Sequence, residues 1–159
     1  ELSASIASEN IMVIGDSAGG NLTLSCLLKL KEQNLPLAGC ATLLSANTDF
    51  TCSGDSYGER RAEFREGLKA YAGDHPMDTV GLSPLFGDHA GLPPLLIHVA
   101  SDEPMLDDST QLQERAVAAG VDSQIQILTT PFTFSRFFRT SLKQLLLLVL
   151  FFRKKLAIR

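Results

Sequence analysis

Apolar residues in this chain fall into short runs separated by longer stretches of helical spacing. Ile11 to Ile14 is a continuous apolar run, as expected of a parallel strand buried on both faces. From Asn21 to Gln33, Leu22, Leu24, Leu27, Leu28 and Leu30 recur at helical intervals and form one broad apolar face. Asn34 and Pro36 end that pattern. Gly39 to Leu44 is a second apolar run. Ser45 to Gly58 is polar and reads as a loop, and Glu59 to Tyr71 as a charged helix. Gly73 to Pro94 is a loop rich in Gly, Pro and Asp. Leu95 to Ala100 is a third strand candidate, Asp107 to Ala119 a helix closed by Gly120, and the alternating Gln124 to Leu128 a fourth strand. Strands alternating with helices predict an α/β fold, with a mostly parallel sheet and flanking helices.

Composition narrows the classes. The chain has 159 residues, 45% of them hydrophobic and 20% charged, which suits one globular domain over residues 1–159. A net charge of -4 without a basic block argues against nucleic-acid binding. Cys26, Cys40 and Cys52 have no CxxC spacing, so they read as small buried hydrophobes in a reducing, cytoplasmic setting. Glu1 to Asn10 carries no signal-peptide pattern, and the lack of an initial methionine fits a start inside a longer chain. Residues 135–159 form an atypical apolar tail. Leu145 to Phe152, followed by Arg153, Lys154 and Lys155, is shorter than the roughly 20 residues a transmembrane helix needs. A buried terminal helix is expected there; an interfacial anchor fits less well, because the run is apolar all round. The third reading is a segment foreign to the fold.

In parallel sheets, functional groups collect beyond the carboxyl ends of strands. Ser17 follows the first apolar run, and Asp102 and Glu103 follow the third. Gly15-Asp16-Ser17-Ala18-Gly19 fits G-x-S-x-G, with a strand before it and a helix after. In such an elbow the serine occupies a strained turn, and glycines two before and two after let the backbone approach closely. The Ala18 N–H can then donate to a developing oxyanion, with help from the helix N-terminus. A helix N-cap and a nucleotide-binding turn are the other readings of Ser17. The G-x-G-x-x-G spacing and a following G-K-[ST] are both absent, which counts against phosphate binding. Gly54-Asp55-Ser56-Tyr57-Gly58 matches the same pentapeptide, but in polar surroundings, so Ser56 reads as a turn residue.

GDSAGGN, the downstream SPLFGDHAGLPPLLIHVASDEPMLDDS and the AAGVDSQIQIL stretch together resemble the hormone-sensitive-lipase-like branch of the α/β-hydrolases, from about Asn10 to Phe134. The resemblance implies a partial α/β-hydrolase fold and a carboxylesterase acting on short-chain esters, with a small-molecule ester as substrate and no cofactor. It implies Ser17 as nucleophile, Ala18 N–H as part of the oxyanion hole, and an acid at Glu103, with Asp102 as runner-up. Asp107 and Asp108 are expected to cap the next helix. A metal site is not expected, because no histidine lies at ligand spacing. His98 sits in a strand pattern and reads as a core or supporting histidine; His75 and His89 lie in polar loops, where surface histidines are common.

The sequence departs from the family pattern twice. Sixteen residues precede Ser17, and none resembles the His-Gly-Gly-Gly-type segment that supplies the other oxyanion donors. The expectation is a domain lacking its N-terminal half, with pocket walls lost alongside it. The base belongs after the last strand in a pattern like P-x-H-x-F, but Thr130-Pro131-Phe132-Thr133-Phe134 stands there, and no histidine follows His98. One residue inserted between Phe132 and Thr133 would restore the pattern, which points to an altered or truncated gene product. Three readings follow: an impaired esterase; a non-catalytic binding module, as in the plant gibberellin receptors that resemble this branch and lack the histidine; and an inactive fragment. Exposed sheet edges would favour pairing with a partner chain or a second copy.

Overall fold

A computed structural model describes residues 6–129 together with Phe151 and Lys155. The expected strands and helices form, in the expected order. Strands β1 (Met12–Asp16), β2 (Cys40–Leu44), β3 (Leu95–Ala100) and β4 (Ser123–Leu128) make one parallel sheet in the order β1-β2-β3-β4. Helix α1 (Ala18–Glu32) connects β1 to β2, and α3 (Leu106–Ala118) connects β3 to β4. Both pack on the same face, because parallel crossovers between successive strands share one hand. There Leu24, Leu27 and Leu28 of α1 and Leu112 and Ala116 of α3 meet Leu43 and Ile97 of the sheet. Helix α2 (Arg61–Ala72) lies off the sheet, against a 3-10 helix at Asp55–Arg60. Its sole buried residue is Ala72.

Four expectations are corrected here. β1 is a strand but is not buried: Met12 and Ile14 are 38% and 44% exposed, since β1 is an edge of the described sheet. Leu22 is 57% exposed and does not join the apolar face of α1 that meets the core. Cys26 is exposed, whereas Cys40 and Cys52 are buried. His89 is buried, with Nε2 3.0 Å from the Pro84 carbonyl oxygen, although its loop is polar in sequence. His75 is exposed, as its loop suggests. Most of the tail and the Thr130 to Phe134 stretch lie outside the described residues; Phe151 is helical and buried. Among the described residues no helix is long and apolar enough to cross a membrane.

Candidate active site

Ser17 stands between the end of β1 and the start of α1 with φ 50° and ψ -113°. This is a backbone region that costs a non-glycine residue about 1–3 kcal/mol, and it persists only where surroundings over-determine it. The surroundings do so here. Ser17 N donates to the Leu44 carbonyl at 2.8 Å, tying the elbow to the neighbouring strand. The Ser17 carbonyl accepts from Gly20 N, Asn21 N and Asn47 N at 3.1, 3.2 and 3.4 Å. The side chain remains exposed, and Ala18 is the first residue of α1, where an N–H has no carbonyl one turn back.

Two glycines make this turn possible, and they are not the symmetric pair that the pentapeptide suggests. A Cβ on Gly15 would stand 2.1 Å from the Gly19 carbonyl oxygen and 2.5 Å from Thr23 Oγ1. A Cβ on Gly20 would stand 2.5 Å from Ala46 Cβ, so that glycine lets α1 pack on the loop after β2. A Cβ on Gly19 meets nothing within 4 Å.

An apolar cavity of about 260 Å³ opens over Ser17 and Ala18. One wall comes from Leu22 of α1 and Phe50 of the loop after β2; the other is Phe64, Leu68 and Tyr71. These three are spaced i, i+4 and i+7, so α2 presents a single apolar stripe toward the serine. Part of the cavity wall thus comes from this chain, which explains why Leu22 is not in the core. Tyr57 fixes the stripe, meeting Phe64 edge to face with ring centroids 5.4 Å apart.

Asn21 and Asn47 supply polar support that sequence reasoning missed. Asn21 Nδ2 donates to the Asn47 carbonyl at 2.7 Å and to the Leu82 carbonyl at 2.8 Å, joining α1 to two loops. Asn47 Nδ2 donates to Tyr57 Oη at 2.6 Å, and Tyr57 donates to Asp108 Oδ2 at 3.1 Å. The same Asp108 oxygen accepts from Thr48 N and Asp49 N at 2.8 and 2.9 Å. Asp107 Oδ2 accepts from Ser56 N at 2.9 Å, while Ser56 Oγ accepts from Asp107 N at 3.1 Å. Asp107 and Asp108 therefore do not cap α3, whose N-cap position is Met105. They bind the loops that carry the cavity wall. Ser56 belongs to a 3-10 helix docked on α3, which accounts for the second pentapeptide: a Cβ on Gly54 would stand 2.6 Å from Asp107 Cβ.

The acid candidates separate. Asp102 is exposed. Glu103 is half-buried, and its Oε2 accepts from Ser45 Oγ at 2.5 Å and from Ala100 N at 3.2 Å. Burial, and then the charge of Glu103, raise the carboxyl of Asp16 at the end of β1 above the usual range. Its bond to Ser45 brings Glu103 to the end of β2, the strand that pairs with β1.

His98 and His89 do not face Ser17. His98 alternates with Ile97, which packs beneath α1 and α3, so His98 faces the other side of the sheet. Burial pulls its ring down to about 4. Asp88, next to His89, binds Lys31 near the far end of α1, roughly 20 Å along the helix from Ser17. Among the described residues, no three His, Cys, Asp or Glu side chains gather as a metal site.

Asp108 supports a pH prediction. Burial pushes its carboxyl up to about 7, and the charge of Asp49 adds to this, against the donors from Asp49 N, Tyr57 and Thr48 N. In the unfolded chain the group titrates near 4. Its share of stability is therefore complete below about pH 4 and is lost as pH rises through about 7. Asp108→Asn does not titrate. Relative to wild type, the variant should gain roughly 2 kcal/mol between pH 5 and pH 8 in denaturant titrations. Parallel stability curves would refute this assignment.

Comparison with known proteins places this arrangement. The family described as alpha/beta hydrolase fold matches residues 1–131. An acetyl-hydrolase of Streptomyces hygroscopicus is 36% identical over 119 residues, which is 69% of this chain and 40% of that protein. An esterase of Acinetobacter venetianus is 34% identical over 134 residues, 78% of this chain and 44% of that protein. Among solved structures, an esterase of the bacterial hormone-sensitive lipase family superposes with a TM-score of 0.88 at 30% identity, covering 98% of this chain and 56% of that one. An esterase/lipase from an uncultured bacterium has the same TM-score and coverage at 33% identity. The chain spans less than half the length of these two curated relatives and slightly more than half of these solved structures.

Proposed function

The chain belongs to the α/β hydrolases, in the hormone-sensitive-lipase branch, and from that premise we propose that it is a serine carboxylesterase working through Ser17. The observation that carries this reading is the strained turn of Ser17, exposed beneath an apolar cavity and followed by a helix N-terminus. Ser17 Oγ attacks the ester carbonyl, the Ala18 N–H donates to the oxyanion, and the alcohol leaves to give an acyl-enzyme that water hydrolyses. Glu103 is the acid that would orient the base; its bonds to Ser45 and Ala100 favour it over exposed Asp102. The substrate is a small neutral ester, whose acyl group would lie along Phe64, Leu68 and Tyr71, where none of the described lining residues is charged.

The three histidines of the chain are His75, His89 and His98, and the latter two are turned or carried away from the elbow. With neither His89 nor His98 at the elbow, slow turnover is the expected result, since a serine hydroxyl without a base is a poor nucleophile near neutral pH. This gap also favours a second reading, a binding module that holds a neutral ligand in the cavity without turnover.

Fluorophosphonate labelling tests the first reading. Slow labelling at Ser17 is expected, and none in Ser17→Ala. Equal labelling of both would overturn the assignment. Saturable binding of a neutral ester, with neither labelling nor hydrolysis in a cooperatively melting sample, would leave the second reading. Ser17→Gly provides a separate check on the strain: it should melt at a higher temperature than wild type while losing all labelling.

A further inference from the structure

We propose that Ser45 is a positioning residue, which holds the Glu103 carboxylate by one oxygen so that the other is presented to a base. The proposal rests on the reading of Ser17 and Glu103 given above. Three adjacent strand ends meet at this point: β1 leads into Ser17, β2 into Ser45, and β3 into Glu103. Ser45 N donates to the His98 carbonyl at 2.7 Å, which fastens the end of β2 to β3. Its Oγ donates to Glu103 Oε2 at 2.5 Å, a short bond of the charge-assisted kind. Ala100 N adds a second donor to the same oxygen at 3.2 Å. Both restraints thus act on Oε2, leaving Oε1 as the oxygen that an imidazole N–H would use.

The backbone of Ser45 points the same way. Its φ is +45°, a conformation that glycine adopts without strain and that strains a serine. A turn alone would be better served by glycine, whereas the hydroxyl gives the serine a task. Ser45 is 8% exposed, so its bond to Glu103 is little weakened by competing water. Asp16 sits close enough to Glu103 for that charge to raise its carboxyl. A fixed donor on Glu103, supplied from the end of β2, holds its carboxylate in place between the ends of β1 and β3.

The test uses Ser45→Ala, which removes the hydroxyl and keeps the strain, and Ser45→Gly, which removes both. In the unmodified chain, Ser45→Ala should lower the melting temperature when Glu103 is present and leave it unchanged in a Glu103→Ala background. Equal shifts in the two backgrounds would overturn the contact. The role is read in a chain with histidine inserted between Phe132 and Thr133, on p-nitrophenyl butyrate. Both Ser45 variants should lose about tenfold in kcat with KM unchanged, and nothing further once Glu103 is alanine. Unchanged kcat in a chain whose hydrolysis depends on Ser17 would overturn the proposal and leave the esterase reading standing. No Ser17-dependent hydrolysis in a cooperatively folded inserted chain would overturn both.

Discussion

Inserting one histidine between Phe132 and Thr133 should raise Ser17-dependent ester hydrolysis about a thousandfold. The argument is positional. In this family the chain order is nucleophile, acid, base, with the base just beyond the last strand. β4 ends at Leu128, and Pro131-Phe132-Thr133-Phe134 follows with no histidine. Loss of a nucleophile's base costs about six orders of magnitude in well-studied triads, and positioned donors and binding retain part of the remainder. A thousandfold is the share expected where the donor in view is Ala18 N–H alone. The rate constant for p-nitrophenyl butyrate is the measurement, with Ser17→Ala and Glu103→Ala made in the inserted chain. Glu103→Ala should return the rate to about its original value, and Ser17→Ala should abolish the Ser17-dependent rate altogether. If the inserted chain melts cooperatively and hydrolyses no faster than the original, the elbow describes ancestry and not activity.

Gly15→Ala should abolish labelling at Ser17 and destabilise the chain by about 3 kcal/mol or more, while Gly19→Ala should do neither. The pentapeptide treats these glycines as equivalents; the structure does not. At Gly15 a methyl would stand 2.1 Å from the Gly19 carbonyl oxygen and 2.4 Å from its carbon. Those atoms belong to the first turn of α1 and cannot rotate aside as a side chain would. Relief would require moving α1 away from β1, which breaks the bond from Ser17 N to Leu44 and opens the elbow. At Gly19 the same methyl meets nothing within 4 Å, in a helix where alanine is preferred to glycine by about 1 kcal/mol. Denaturant titration and probe labelling of the two variants decide the matter. A stable, reactive Gly15→Ala would mean that α1 and β1 are not held as close as described.

The sheet and its helices were legible because their signals are local. A continuous run such as Leu95–Ala100 and the spacing of Leu24, Leu27 and Leu28 report burial within a few residues of themselves. The elbow was legible for the same reason: strand, glycine, serine and helix follow one another without a gap. Local signals misled where exposure depends on distant chain. The apolar run of β1 promised a buried strand, yet Met12 and Ile14 are exposed, because burial needs neighbours on both edges and both faces. His89 lies in a polar loop and is buried all the same, since that loop folds over the far end of α1.

Taken by itself, the sequence determined the order of strands and helices, the parallel sheet and the place of the strained turn at Ser17 between strand and helix. Periodicity, glycine placement and turn chemistry act over one or two turns of chain, so they can be read along it. The tertiary structure alone decided that Gly15 and Gly20 are the tight glycines, that α2 turns Phe64, Leu68 and Tyr71 toward Ser17, and that Asp107 and Asp108 bind loops and do not cap a helix. It also decided that Ser45 reaches Glu103, 58 residues further along. Such contacts are set by strand register and helix crossover. They join residues whose separation in sequence carries no trace of their separation in space.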